Sequence, residues 1–569
     1  MTAETGDTDT RAPAGADTPE LSGERFWPLF VLWAVVPLVI AGLMAYYLLL
    51  CRQVVGEFGF PLDDGWIHVR FAQNIARGYG FTFNPGEPTS LTTGPLWTIL
   101  LGLAYRLTGE YILTSAVMNW VFCWLAALAA AALAQTFVPS RAFGAAAALV
   151  VAATIPLPWL ALSGMEPPLF MWLTLVAVLL HVRLRQASGI KAIVPAVAIG
   201  VAVTARPENL LLFPLAMLDR LLMVRYERPG WPGVRLWLKQ LAVHTPIFLL
   251  IISPVVIHNY NATGRPLPSS YYIKAMNFGV TWAIVMKSNA LLFQSMVVAP
   301  IKEFFAILAL WAGNNLVLFV PFLFGYYQVI RRAGALRTGP HFSFLIPLVL
   351  AVQPTAWAMS TNFHRAPWFQ GQRYVANLGP LYIIVGLAGG WWLLRQRRPE
   401  SFRTVLPVAF ALVLAASLVR QPDQAKLFTH NVKNITDMQV TTARWLKETV
   451  PPDSMLVLND VGAIAAITDM PIFDTIGLVS ADSLACRTIE NARTGQWLRC
   501  VWDTAESKTP DYLVVVMKPE RYEGFVRAGH KPIFSIKIDD NITCGGPWIV
   551  VYTWREKPPE RLSSGVQGR

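Results

Sequence analysis

Charge is scarce in this chain. Asp, Glu, Lys and Arg make up 14% of its 569 residues, against roughly 25% in ordinary soluble domains. A surface that must face water on all sides would need more. Cysteine is nearly absent too, with five residues: Cys51, Cys123, Cys486, Cys500 and Cys544. No two are spaced as CxxC, which argues against zinc ribbons and dithiol redox motifs. Three of the five fall in the C-terminal part. They allow one bridge and one free thiol if that part meets an oxidising compartment; buried free thiols are the alternative. His68, His258 and His364 are scattered, without the short local spacing of zinc ligands. There is no internal repeat, and past residue 24 no low-complexity tract.

What the chain has in excess is apolar bulk. Hydrophobic residues are 54% of the total, with 21 tryptophans, and the mean hydropathy is +0.43. That balance suits a bilayer. The formal net charge of +12 first suggests nucleic acid. The Lys and Arg residues, however, lie mostly in short loops between apolar runs. Positive cytoplasmic loops account for that placement, so no nucleic-acid partner is expected.

Residues 1–24 are polar and lack bulky apolar side chains, as expected of a disordered cytoplasmic tail. The first apolar run, Phe26 to Leu50, is too long for a cleavable signal and reads as an anchor. Runs near 27–50, 112–137, 142–161, 168–182, 192–205, 207–224, 241–258, 303–330, 343–359, 375–394 and 404–419 approach the roughly 20 residues a spanning helix needs. The fold expected is an all-α membrane bundle of about 11 to 13 spans over residues 25–420. The stretch Pro95 to Leu107 is too short to cross easily and fits a re-entrant or interfacial helix. Basic loops at Arg183/Arg185/Lys191, Arg220–Lys239, Arg331/Arg332/Arg337 and Arg395/Arg397/Arg398/Arg403 are assigned to the cytoplasm. Loops 51–94, 162–167, 259–302 and 360–374 then face outward. From 421 to 569 the pattern changes to short β-type runs (Met455–Leu458, Tyr512–Met517, Phe534–Ile538, Trp548–Trp554) alternating with helical stretches. A soluble, extracytoplasmic α/β domain of ordinary size is expected there.

The segment carrying the most chemistry follows the first span. It runs Pro61-Leu-Asp-Asp-Gly-Trp-Ile-His-Val-Arg70 and on to Gly80. Trp66, Ile67, Phe71 and Ile75 alternate at helical spacing with His68, Arg70, Gln73 and Asn74. This is the pattern of a helix lying in the interface plane. Asp63 and Asp64 stand at its start. Adjacent carboxylates can separate in pKa and supply a general base or a cation site. The competing reading is an Asp-Asp turn that caps the helix.

These residues, with Phe81-Thr-Phe-Asn-Pro-Gly-Glu87 and Thr93-Gly-Pro-Leu-Trp97, resemble the first outer loop of GT-C-fold glycosyltransferases. Within them the likeness is to the bacterial branch of terminal arabinofuranosyltransferases of actinobacterial cell walls. Further matches follow in order: Ser163-Gly-Met-Glu166, Ala205-Arg-Pro-Glu208, Gly264-Arg-Pro-Leu-Pro-Ser-Ser-Tyr-Tyr-Ile-Lys274, Arg373-Tyr374, Gly462-Ala-Ile-Ala465 and Phe473-Asp-Thr-Ile-Gly-Leu478. Departures occur at Thr89-Ser-Leu-Thr92, Pro167, Asn209 and Ser269-Ser270. They bear on which sugar is handled more than on the fold.

The resemblance implies an inverting transfer of a sugar, a pentose such as arabinofuranose or a hexose. The donor would be a polyprenyl phosphate, the acceptor a cell-envelope glycan or glycolipid. An aspartate of the first outer loop would deprotonate the acceptor hydroxyl, a poor nucleophile unaided. Asp63 is the expected base, with Asp64 supporting it or binding a metal. A divalent cation (Mg, Mn or Ca) held by Asp63 and Asp64 is one expectation; no cofactor is another. The leaving phosphate needs cations, and Arg206, Lys274 and Arg373 are the expected partners, ahead of Arg265 and Arg365. His68, Glu166, Glu208, Tyr271 and Tyr272 are candidates for sugar or acceptor contacts. Trp368 and Phe369 are candidates for stacking, against an interfacial aromatic belt. The implied location is the plasma membrane, multi-pass, with a cytoplasmic N-terminus and an extracytoplasmic C-terminal domain. The other function classes are a flippase for lipid-linked sugar and a non-catalytic envelope-assembly component. The paired, interrupted helices of many transporters are not seen.

Overall fold

The structure is a computed structural model that describes residues 23–227, 229–274, 298–335, 343–360, 369–397, 402–517, 526 and 529–554. The chain enters as α1 (Gly23–Phe30), passes through a π-helical turn at Val31–Val35, and continues as α2 (Val36–Val55). The outer segment follows with α3 (Asp63–Ala76) and α4 (Pro95–Thr108), packed on each other. The bundle is then built from α5 (Ile112–Phe137), α6 (Arg141–Ala152), the short α7 (Leu157–Ala161), α8 (Pro167–Leu184), α9 (Ile190–Ala205), α10 (Leu212–Glu227) and α11 (Trp231–Thr263). After residue 297 come α12 (Ala299–Asn314), α13 (Phe319–Ala335), α14 (Leu345–Ser360), α15 (Leu378–Arg397) and α16 (Phe402–Leu418). Among the described residues, seven helical stretches are long and apolar enough to cross a membrane. The chain is a multi-pass membrane protein.

Five expected spans come out differently: those at 192–205, 207–224 and 343–359 form helices of only 16 residues and are not among the seven, and two others are cut. The run at 303–330 is broken at Asn315, where φ is −157°. Its carboxamide donates to Val413 O (2.8 Å) and Ser417 Oγ (2.9 Å) of α16, drawing the backbone out of the helix. One buried amide thereby divides α12, which packs on α14, from α13, which packs on α15. The run at 142–161 ends as a helix at Ala152. Twelve residues rise only about 18 Å, and Pro156 and Pro158 lie just beyond.

The C-terminal region begins with α17 (Gln421–Ile435), which packs along α2. The Tyr47 hydroxyl donates to Gln421 Oε1 at 2.7 Å, and Ala425, Phe428 and Val432 join the bundle's core. The helix that follows residue 421 thus packs against the bundle. Beyond it lie α18 (Thr441–Thr449), β1 (Leu456–Leu458), α19 (Gly462–Thr468), β2 (Ile472–Asp474), α20 (Ala481–Ala485), α21 (Ile489–Thr494), α22 (Trp497–Ser507), β3 (Tyr512–Met517), β4 (Lys531–Lys537) and β5 (Trp548–Thr553). The sheet order is β2-β1-β3-β5-β4, with β1 parallel to β2 and β3, and β5 antiparallel to β3 and β4. Central β3 is buried along its whole length; edge strand β4 is largely exposed and carries Lys531 and Lys537 at its ends, which discourages edge pairing. Cys486 and Cys500 form a disulfide, and Cys544 is free.

One sheet face packs on α22 through Val501, Trp502 and Ala505. The other packs on α18 and α19, and this core also contains Phe71 and Phe83 of the outer loop. A third cluster joins Phe60, Trp66 and Val69 to Ile435, Val440 and Ala463. The outer loop and the C-terminal domain thus share one hydrophobic core. Each Phe so buried contributes roughly 1.5–3 kcal/mol, and polar locks add direction. Asp469 accepts from Arg70 and, at 2.8 Å, from Arg77. Asn84 bridges to Ile472 through both backbone N–H and C=O.

Candidate active site

The start of α3 decides where its two carboxylates go. A helix turns about 100° per residue, so neighbours at 63 and 64 cannot face the same way. The Asp63 carboxylate accepts Gly462 N (2.6 Å) and Ala463 N (2.7 Å) at the start of α19, and it is hydrogen-bonded to Asp460. Asp460 is held in turn by Gln439 Nε2 at 2.8 Å. Burial first, and then the like charge of Asp460, push the Asp63 carboxyl well above the usual carboxylate range, and burial raises Asp460 as well, so the two acids titrate as a pair. Gly462 is required here. A Cβ at that position would lie 2.1 Å from Asp63 O.

Asp64 turns the other way, into a cavity of about 270 Å³. Its side chain keeps 43% of its surface open and lies 3.3 Å from the Arg373 guanidinium. Burial alone would raise its pKa; Arg373, then Lys274, and also His68 more than offset this and hold it below the ordinary value. The expectation that Asp63 faces a substrate and Asp64 supports it is reversed by this geometry. Because Asp63 is committed to α19 and Asp460, the two aspartates also do not converge on one point as paired ligands to a cation. Among the described residues no group of three or more His, Cys, Asp and Glu is placed to hold a metal.

Around Asp64 the cavity brings together most of the basic and acidic motif residues. Glu166, at the start of α8 and 1% exposed, takes Arg206 Nη1 at 2.7 Å and lies 3.1 Å from His68 Nε2. His68 Nδ1 pairs with Thr98 Oγ1 at 2.7 Å. Burial opposes the Glu166 charge, but Arg206 and His68 bring its pKa to about 2. Arg206 also binds Glu208 at 2.6 Å. Burial disfavours its charge, and Glu208 and Glu166 more than restore it. Glu208 itself is outside the cavity wall. Lys274 and Arg373 line the wall together with Tyr374. The Tyr374 ring has Lys274 Nζ 4.9 Å, the Arg373 guanidinium 4.9 Å and that of Arg206 5.3 Å from its centre, and its hydroxyl accepts from Arg373 at 3.0 Å. Burial raises the phenol; Arg373 and Lys274 then pull it down to about 8.

Three further elements shape the wall. Ser90 and Leu91 are tied to Asn259 of α11, whose Oδ1 accepts Leu91 N at 2.8 Å. Leu478 and Val479 reach in from the C-terminal domain; the Asp474 carboxylate holds their loop by accepting Ile476, Leu478 and Val479 N–H groups. Gln370 closes the third side. Its stretch Gln370-Gly371-Gln372 has φ of 51°, 65° and 64°, a left-handed conformation that costs roughly 1–2 kcal/mol for each residue carrying a Cβ.

Tyr271 and Tyr272 do not reach the cavity. Tyr271 is 44% exposed, and the Tyr272 hydroxyl accepts Leu267 N at 3.2 Å while Arg265 covers its ring. His258 binds Thr89 O at 3.0 Å. His364, Arg365 and Trp368 lie outside the described residues, as does the side chain of Phe369. Sequence reasoning missed Asp460, Thr98 and Gln370. None sits in a pattern that marks it. Tyr374 was noted only as part of a motif.

Solved structures share this fold. The oligosaccharyltransferase of Archaeoglobus fulgidus in complex with Zn and sulfate matches at TM-score 0.51 and 15% identity, over 85% of this chain and 69% of that one. The same enzyme tethered by a disulfide to an acceptor peptide containing the NVT sequon gives 0.53 and 14%, over 88% and 70%. ArnT from Cupriavidus metallidurans bound to undecaprenyl phosphate gives 0.51 and 12%, over 92% and 98%. No curated protein matches the sequence. Residues 432–560 match a family described only as a domain of unknown function, DUF8728. At these identities the likeness concerns the fold, and the chain is a GT-C-like membrane bundle carrying a small C-terminal α/β domain.

Proposed function

We propose that this protein is an inverting glycosyltransferase that moves a sugar from a polyprenyl phosphate to a hydroxyl of a cell-envelope glycan or glycolipid. The observation that carries the reading is the Asp64 carboxylate, open to a cavity whose wall also holds Arg206, Lys274, Arg373 and Tyr374. A carboxylate beside clustered cations is the pairing this reaction needs. The acceptor oxygen forms a bond to the anomeric carbon while its proton passes to Asp64. The bond between that carbon and the phosphate oxygen breaks, and the phosphate leaves with the electron pair. Lys274 and Arg373 stabilise the charge it gains, with Arg206 behind them.

The Asp64–Arg373 contact gives the base a means of activation. While the cavity is empty of phosphate, Arg373 holds Asp64 as a weak base. A donor phosphate that engages Arg373 reduces that stabilisation, so the carboxylate becomes more basic when a donor is bound. Undecaprenyl phosphate in the ArnT structure of the same fold supports a lipid phosphate as the donor's leaving group. The arabinofuranosyltransferase-like motifs favour a pentose, and the outward assignment of loop 51–94 puts the reaction on the outer face of the plasma membrane. The Asp63 commitment to Asp460 gives no reason to route a step through a cation on the aspartate pair.

The test is sugar transfer in membranes from a panel of synthetic polyprenyl-phosphate pentoses and hexoses. Asp64→Asn is expected to lose about 10²–10⁴-fold in rate, the usual worth of a general base. Asp64→Asn with wild-type turnover would end the proposal.

A further inference from the structure

We infer that Gln370 is a specificity residue, whose side-chain oxygen accepts a hydrogen bond from one hydroxyl of the sugar carried on the lipid phosphate. The inference rests on the transferase reading and assigns this residue a task within it.

Gln370 lines the cavity, and its Oε1 is fully buried yet finds no hydrogen-bond partner among the described residues. A buried acceptor left unmade is costly, and native structures rarely keep one without a use. The backbone beneath it is built to hold it there. Gln370, Gly371 and Gln372 form a left-handed turn inside the segment Phe369–Val375, a conformation that persists only when its surroundings enforce it. Two contacts enforce it. The Gln372 and Asn314 carboxamides bond reciprocally at 2.9 and 3.1 Å. Gly371 lies flat on Trp159, where a Cβ would come within 2.1 Å of the ring. Trp159 is itself fixed by donating Nε1–H to Asn431 Oδ1 at 3.1 Å.

The same segment carries Arg373, which faces Asp64. A phosphate on Arg373 therefore brings its attached sugar to the wall that Gln370 forms. The missing partner is a donor, the cavity is polar, and a sugar hydroxyl supplies one. An acceptor oxygen without a partner discriminates strongly, because a ligand lacking the hydroxyl leaves it unpaired.

The experiment uses full-length protein in proteoliposomes, one transferable polyprenyl-phosphate sugar, and the series of monodeoxy analogues of that sugar. Wild type is expected to reject one analogue by about tenfold to a hundredfold in kcat/KM beyond the others. Gln370→Asn, which tolerates the left-handed backbone but withdraws the oxygen by one methylene, should lose discrimination at that one position. It should raise KM for the parent sugar more than it lowers kcat. Gln372→Ala, with Gln370 untouched, should blur the same position. An unaltered rejection pattern in Gln370→Asn overturns the inference while leaving the transferase reading intact. Equilibrium binding of the same lipids separates the two further. If wild type binds them without transferring sugar, the transferase reading fails, and position-specific discrimination in binding still decides the role of Gln370. If no sugar lipid binds, both fall.

Discussion

Asp63 and Asp64 are consecutive in the chain and serve different faces of α3. Asp63 is sealed against Gly462, Ala463 and Asp460, whereas Asp64 opens toward Arg373. The first fixes the C-terminal domain to the outer loop, and the second faces the cavity. This division makes Asp63 a positioning residue for Asp64, and it makes the two aspartates separable by experiment.

The raised carboxyls of Asp63 and Asp460 predict an unusual pH dependence. A buried carboxyl raised above its unfolded value stabilises the fold fully below that value, about 3.9. The contribution is lost as pH rises through the raised folded value. The hydrogen bond between them raises Asp63 and lowers Asp460, so Asp63 keeps its proton to higher pH. Asp460→Asn keeps a side-chain oxygen for Asp63 and Gln439 and removes the like charge that adds to the rise at Asp63. The variant is expected to unfold at a Tm equal to or above wild type at neutral pH, with a flatter Tm–pH curve. Asp63→Asn places an NH2 against a backbone N–H and should cost about 1–3 kcal/mol. Equal Tm–pH slopes in wild type and Asp460→Asn would show that the two carboxyls do not interact.

Gly462→Ala tests the same junction by volume. The added methyl meets backbone at 2.1 Å, so the neighbour cannot rotate away as a side chain would. Overpacking commonly costs about 1–3 kcal/mol. The expected result is a lower Tm, earlier proteolytic cleavage after residue 450, and reduced transfer because Asp64 moves with α3. Wild-type protease resistance in this variant would mean that α19 and α3 are not held as closely as described.

The legibility of this site in the sequence was uneven, for physical reasons. Hydropathy located most of the bundle because apolar length is a one-dimensional property. It failed at Asn315, where the break comes from a hydrogen bond to α16. Motif residues Glu166, Arg206, Lys274 and Arg373, separated by 40 to 99 residues from one to the next, converge on one cavity. Which aspartate faces it was not legible, since the answer depends on α19, four hundred residues away. Gln370 was invisible because its distinction lies in backbone dihedrals that a Gln-Gly-Gln string does not announce. Tyr271 and Tyr272 stand in a motif, yet its residues that reach the wall are Ser270 and Lys274.

Glu166→Gln tests the buried ion pair at the cavity floor. Breaking such a pair commonly costs about 3–5 kcal/mol; Arg206 retains Glu208, so the lower end applies. The Glu166 pKa, depressed to about 2, gives stability that is present above the ordinary carboxylate value near 4.3. It is lost as pH falls toward about 2. Wild type should therefore lose Tm steeply across that interval, and Glu166→Gln should lose less. Parallel curves for the two proteins would remove Glu166 from the acid-sensitive set.

Tyr374 offers a direct optical report on phosphate binding. Its hydroxyl accepts from Arg373, and Arg373 and Lys274 bring the phenol down to about 8. An ultraviolet titration of wild type minus Tyr374→Phe should show a single tyrosine ionising near that value. Because the folded pKa lies below the usual value near 10, the phenolate stabilises wild type above about 10, and this gain disappears as pH falls through about 8. A phosphate brought to the same cations adds negative charge beside the ring and weakens their pull on the phenolate. Undecaprenyl phosphate should accordingly move the midpoint upward, and an uncharged polyprenol should not. A midpoint that stays put as undecaprenyl phosphate is titrated in would place the lipid phosphate somewhere other than Arg206, Lys274 and Arg373.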